Sequence, residues 1–216
     1  MMRCLNELTK VVSVRRIEKS TKRSWILLTA LFFAALLAGA PAHAQDAPKI
    51  DLFGGYSYVH ANVVITGTGI NLNGGSASVA YNVNHWFGVA FDFGGYMQGN
   101  VANSGASLTF ETFLAGPRFS LRTRSKLTPF VQVLLGGGHA GGTVYTSPLG
   151  SALAPLGTSN AFAFTAGGGL DLKVSSAISL RLFQADYMYT QFSNANNNRQ
   201  NNLRLSAGIV FNFGRR

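Results

Sequence analysis

Apolar side chains recur at every second residue through most of the stretch from residue 50 to residue 213, and helical spacing is absent. Between residues 86 and 95, Phe87, Val89, Phe91 and Phe93 fall on one side, with Gly88, Ala90, Asp92 and Gly94 on the other. Between 203 and 213, Leu203, Leu205, Ala207, Ile209, Phe211 and Phe213 oppose Arg204, Ser206, Gly208, Val210 and Asn212. Six more segments read similarly, near 50 to 60, 75 to 82, 109 to 121, 128 to 140, 161 to 173 and 178 to 190. The pattern predicts eight strands, each close to the roughly 9 to 11 residues that a tilted strand needs to cross a bilayer. After Ala44 no apolar run reaches about 18 residues, so a membrane reading has to rely on strands.

The connections alternate in length. Ala61 to Gly74, Met97 to Leu108, Gly141 to Asn160 and Gln191 to Asn202 are long and rich in Asn, Gly, Ser and Thr, whereas Val83 to His85, Arg122 to Leu127 and Val174 to Ala177 are short. Short turns at one end and long loops at the other are the outer-membrane pattern, with the turns periplasmic and the loops extracellular. Both ends of the barrel segment fall on the short-turn side.

Half of the net charge of +10 sits in the first 24 residues, where seven basic residues face two acidic ones. An apolar run from Trp25 to Ala40 follows, and Pro41-Ala42-His43-Ala44-Gln45 places small residues where a signal peptidase reads them, so residues 1–44 are expected to be a cleaved secretory signal peptide. Cys4 leaves with it. The remaining residues, 45–216, carry eleven basic and six acidic side chains, about 10% charged, well short of the quarter to a third of a soluble surface. No zinc-ligand spacing, disulfide pair or basic stripe occurs, so no cofactor and no nucleic-acid partner is expected.

A soluble eight-stranded barrel of the lipocalin or streptavidin kind has the same alternation with its apolar face inward. Two features favour the membrane form. The face opposite the Phe, Val and Leu side is rich in Gly, Ala and Ser, which suits a narrow lumen, and the four long loops hold only one charge, Arg199. Aromatic side chains also gather toward strand ends: Tyr56, Tyr58, Tyr96, Phe162, Phe164, Tyr187 and Tyr189 at the outer end, and Tyr81, Trp86, Phe87, Phe119, Phe130, Phe211 and Phe213 at the inner, as two interfacial girdles require.

The ordered segments Phe53-Gly-Gly-Tyr56-Ser-Tyr58, Gly116-Pro-Arg118-Phe119, Gly167-Gly-Gly-Leu-Asp171, Gln184-Ala-Asp186-Tyr187 and Asn201-Asn-Leu-Arg204-Leu-Ser-Ala-Gly208-Ile-Val-Phe211 resemble the single-domain outer-membrane β-barrel family of the OmpA and OmpX type. The resemblance spans residues 48 to 213 and implies an all-β, eight-stranded antiparallel up-and-down transmembrane barrel in the cell outer membrane. The last strand is similar to the signal read by the barrel-assembly machinery, with Gly208, Phe211 and Phe213 in the expected places, although Gly214, Arg215 and Arg216 follow the terminal aromatic.

On the small-residue face, Asp92, Arg118, Gln132, Asp171, Lys173 and Arg204 are expected to point inward. Arg181 and Asp186 join them only if a β-bulge lies near Phe183 and Gln184, because their positions differ in parity. Glu111, near the outer rim, has no fixed phase. Charges in so narrow a lumen need pairing, which predicts an ion-pair network that fills it. The function expected is a structural or surface-interacting monomer in outer-membrane lipid, with the partner of its loops open; the alternatives are a small pore or a lipid-modifying enzyme. His60 and His139 fall at outer strand ends, but no Ser and carboxylate accompany them at matching positions, so no catalytic site is expected. The clusters Gly136-Gly-Gly138 and Gly167-Gly-Gly169 lead into no helix and suit strand curvature better than a phosphate cradle.

Overall fold

A computed structural model describes residues 47–62, 69–99, 101, 106–145, 153–193 and 198–215. The segment read as a signal peptide lies outside them. Eight strands follow one another: β1 (Pro48–Ala61), β2 (Ile70–Asn82), β3 (Phe87–Gln98), β4 (Ser107–Ser120), β5 (Leu127–Tyr145), β6 (Leu153–Lys173), β7 (Ile178–Thr190) and β8 (Gln200–Arg215). Each pairs antiparallel with the next, and β8 pairs with β1 to close the barrel. Closure leaves no sheet edge, which is what lets strands sit in hydrocarbon without unsatisfied backbone groups.

Period-two alternation puts the two sets of side chains on opposite faces. Leu52, Val79, Phe91, Phe93, Phe113, Val131, Leu135, Leu205 and Phe211 are exposed on the outside, while Asp51, Asp92, Arg118, Asp171, Arg181, Asp186 and Arg204 are buried inside. A lipocalin-like barrel would show the reverse. Residue size sets the lumen wall as well. Gly55 and Gly208 face each other where β1 meets β8, and a Cβ on either would strike the neighbouring backbone, on Ala207 or Gly54.

The long connection read between residues 141 and 160 is mostly strand. Thr143, Val144 and Tyr145 pair with Pro155, Ala154 and Leu153, extending the β5–β6 hairpin beyond a register shift between Ala140 and Gly142. The reason is local: past the shift, Thr-Val-Tyr is a β-favouring run that backbone pairing can use. β2 and β8 likewise begin earlier than alternation indicates, at Ile70 and Gln200.

Two aromatics read as girdle residues face inward. Tyr96 and Phe130 are buried in the lumen, because they share parity with Asp92 on β3 and with Gln132 on β5. Tyr96 stacks on Phe110, whose other side meets Phe192 edge-on, and this aromatic group with Val59, Leu72 and Met188 fills the long-loop half of the interior. A second apolar group, Ala80, Ala90, Leu114, Leu134 and Ala163, lines the β2 to β6 wall.

Candidate functional site: a charged lumen

Arg204 on β8 is fully buried and reaches across the lumen to β3. Its Nη1 lies 2.5 Å from Asp92 Oδ1, its Nη2 2.8 Å from Asp186 Oδ2 on β7, and its Nε donates to the same Asp186 oxygen at 2.9 Å. Nη1 also donates to the Tyr96 hydroxyl at 3.3 Å. Gly167 stands opposite Asp186 in register, and a Cβ there would overlap the Asp186 carboxylate, so the missing side chain makes room for this pair.

A second cluster lies closer to the short turns. Arg181 holds Asp171 with two donors, Nε to Oδ1 at 2.8 Å and Nη2 to Oδ2 at 3.2 Å, and Arg118 Nη2 adds a third at 3.0 Å. Both guanidinium groups lie over aromatic rings, Arg118 at 3.8 Å from the Phe130 centroid and Arg181 at 4.1 Å from that of Phe53. The ring faces attract the cations at sites where water is excluded, which offsets part of their desolvation. Arg118 Nε has no hydrogen-bond partner among the described residues.

Gln184 joins the clusters. Its Oε1 accepts from Arg181 Nη1 at 2.7 Å and its Nε2 donates to Asp186 Oδ2 at 2.6 Å. The register of β7 against β8 shifts between Arg181 and Gln184, so Leu182 and Phe183 both face outward and residues three apart both face inward. One chain of polar contacts therefore runs Arg118, Asp171, Arg181, Gln184, Asp186, Arg204, Asp92.

At the short-turn mouth, Asp51 pairs with Arg122 at 2.7 Å and accepts from Asn82 at 3.0 Å. Alternation and charge did not single out Asp51, Asn82, Tyr96 or Arg122 as lumen residues. Asp51 shares its face with Phe53, against the sorting of aromatics outward, and Arg122 lies in a turn. Two residues of the expected set stand apart. Gln132 is buried opposite Arg118 in register but makes no side-chain hydrogen bond among the described residues, and Lys173 is exposed at the mouth outside the ion pairs.

Glu111 shares the outward parity of Phe113 and lies opposite His139 in register. His139 Nδ1 is 2.7 Å from Asn160 Oδ1, and His60 Nδ1 is 2.7 Å from Asn71 Oδ1. Tyrosines of the same outer end bond to asparagines on neighbouring strands, Tyr56 to Asn73 at 2.5 Å, Tyr58 to Asn71 at 2.7 Å and Tyr187 to Asn201 at 2.6 Å. Such rings, apolar in body and polar at the tip, suit the membrane interface. No group of three metal-ligating side chains occurs among the described residues.

A family model described as the outer membrane protein beta-barrel domain matches residues 29–211. No curated protein matches the chain in sequence. Among solved structures, Ail, the attachment invasion locus protein of Yersinia pestis, is 18% identical, with 76% of this chain and 99% of that chain covered and a TM-score of 0.54. Neisserial surface protein A is 18% identical, with 78% and 100% covered and a TM-score of 0.55. Ail is also similar in its complex with the heparin analogue sucrose octasulfate, at 20% identity, with 76% and 99% covered and a TM-score of 0.53. At such identities the likeness is one of fold.

Proposed function

The chain belongs to the outer membrane protein β-barrel family, and on that premise we propose that it is a structural or surface-interacting barrel whose lumen is closed to ions by its own charge network. The observation that carries this reading is the unbroken polar chain from Arg118 to Asp92, with the Tyr96, Phe110 and Phe192 group beyond it. A permeating ion would have to shed water and displace buried salt bridges whose partners have nowhere else to go. The lumen thus fixes strand register, and work at the surface falls to the long loops.

Two neighbours in fold are, by name, an attachment invasion protein and a surface protein, and a surface role is consistent with long loops on a sealed barrel. The loop segments of this chain hold Arg199 as their one charge, so they suit a neutral, hydrogen-bonding partner better than a polyanion of the kind bound by Ail. We take the barrel to be a monomer in outer-membrane lipid, inserted by the barrel-assembly machinery through Gly208, Phe211 and Phe213.

Planar-bilayer recording tests the closed lumen. Wild-type protein is expected to give no steady conductance, and Asp92→Ala, which leaves Asp186 as the remaining carboxylate on Arg204, to give brief openings. Large, steady wild-type currents overturn the reading in favour of a pore.

A further inference from the structure

The short-turn mouth opens into a vestibule of about 520 Å³, a volume within the range of small-molecule sites. Arg122, Arg124, Lys126 and Lys173 line it, with Asp51 and Asp171 as its two carboxylates. Both acids are already engaged, Asp51 by Arg122 and Asp171 by Arg118 and Arg181. Behind the floor, two buried guanidinium groups share the single carboxylate of Asp171, so positive charge is in surplus there too. Arg124, Lys126 and Lys173 make no ion pair among the described residues. The Lys173 amide donates to the Lys126 carbonyl at 2.7 Å, which fixes the two lysines on adjoining backbone without an acid between them.

Closing a barrel does not require this. The other two short turns, residues 83–86 and 174–177, contain no Lys, Arg, Asp or Glu, whereas residues 122–126 contain three cations and no acid. Like charges on neighbouring backbone repel, and the repulsion is offset when an anion sits among them. The concave mouth also focuses that field. We propose that the vestibule is a binding site for phosphate groups, taken by charge-assisted hydrogen bonds from Arg124, Lys126 and Lys173. The group has two possible sources at the periplasmic end, an inner-leaflet phospholipid headgroup or a soluble phosphate compound.

The test uses the folded barrel in nanodiscs of phosphatidylcholine, titrated calorimetrically with inorganic tripolyphosphate. Saturable binding is expected, weakened about tenfold or more by the double variant Lys126→Gln and Lys173→Gln, since two of the three cations offered to the phosphate are lost. Arg199→Gln removes a charge at the opposite end and is expected to leave binding unchanged; heat-modifiable gel mobility confirms that all variants are folded. Repeating the titration in phosphatidylglycerol nanodiscs separates the sources: weaker tripolyphosphate binding there identifies a lipid headgroup as occupant, and unchanged binding a soluble one. Absence of saturable binding, or an equal loss with Arg199→Gln, overturns the site.

Discussion

Gln184 lies between clusters of opposite surplus. Asp92 and Asp186 outnumber Arg204 on one side of it, and Arg118 and Arg181 outnumber Asp171 on the other. Its amide is oriented to suit both, carbonyl oxygen toward Arg181 and nitrogen toward Asp186. Gln184→Leu keeps the volume roughly constant but leaves a buried cation and a buried anion each short of a partner. It is expected to lower folding stability by about 1–3 kcal/mol, measured by urea titration in lipid vesicles. Gln132→Leu, at a buried position with no side-chain hydrogen bond among the described residues, is expected to change stability little, and equal losses in the two variants would show that Gln184 is packing and not linkage. Parity and charge alone place Asp92, Arg118, Asp171 and Arg204 on the lumen side. They do not find Asp51, Tyr96 or Phe130, because sorting side chains by polarity assumes a wet interior, and this one is filled partly by aromatic rings that carry the guanidinium groups.

Elements were legible where alternation is unbroken and lost where backbone pairing outruns it. β3 is recovered nearly whole from Phe87, Val89, Phe91 and Phe93, but the extension of β5 and β6, with the sequences Gly-Gly-Thr-Val-Tyr and Leu-Ala-Pro-Leu, carries no apolar and polar alternation. The shift in β7 is different, since the odd separation of Arg181 and Asp186 marks where a bulge has to lie if both are to face inward, and the register shift sits between Arg181 and Gln184. β8 carries the assembly argument. Phe211 and Phe213 are exposed on the outer face and stand opposite Leu52 and Ile50 of β1, at the closing seam. Phe213→Ala is expected to reduce folded, protease-resistant protein in membrane fractions much more than deletion of residues 214–216, because an interfacial ring gains burial that the tail does not. Assembly that survives Phe213→Ala and fails without the tail would assign the recognition to the last three residues instead.

For the whole molecule, the decisive property is which face meets which medium. The outer surface from β1 to β8 exposes Leu52, Val79, Phe91, Phe113, Val131, Leu182 and Leu205, a belt that water would penalise and hydrocarbon accepts. Inside, the carboxylates and guanidinium groups are paired, so the polar material that normally faces solvent has become the core. The arrangement makes the cost of a charge depend on the direction of one side chain. Phe91 lies in the middle of β3, 59% exposed, opposite Val79 and Ala115, while Ala90 beside it is buried in the lumen wall. Phe91→Arg is expected to cost about 2–4 kcal/mol in a folding titration into lipid vesicles, the range for a cation near the bilayer midplane. Moving the same substitution outward along the strand to Met97, 67% exposed near the outer rim, is expected to bring the cost to about 0–1 kcal/mol, because the head group there reaches the interface. A penalty that stayed level from Phe91 to Met97 would mean that β3 meets no depth gradient, and the outward belt would then be facing protein or water instead of a bilayer.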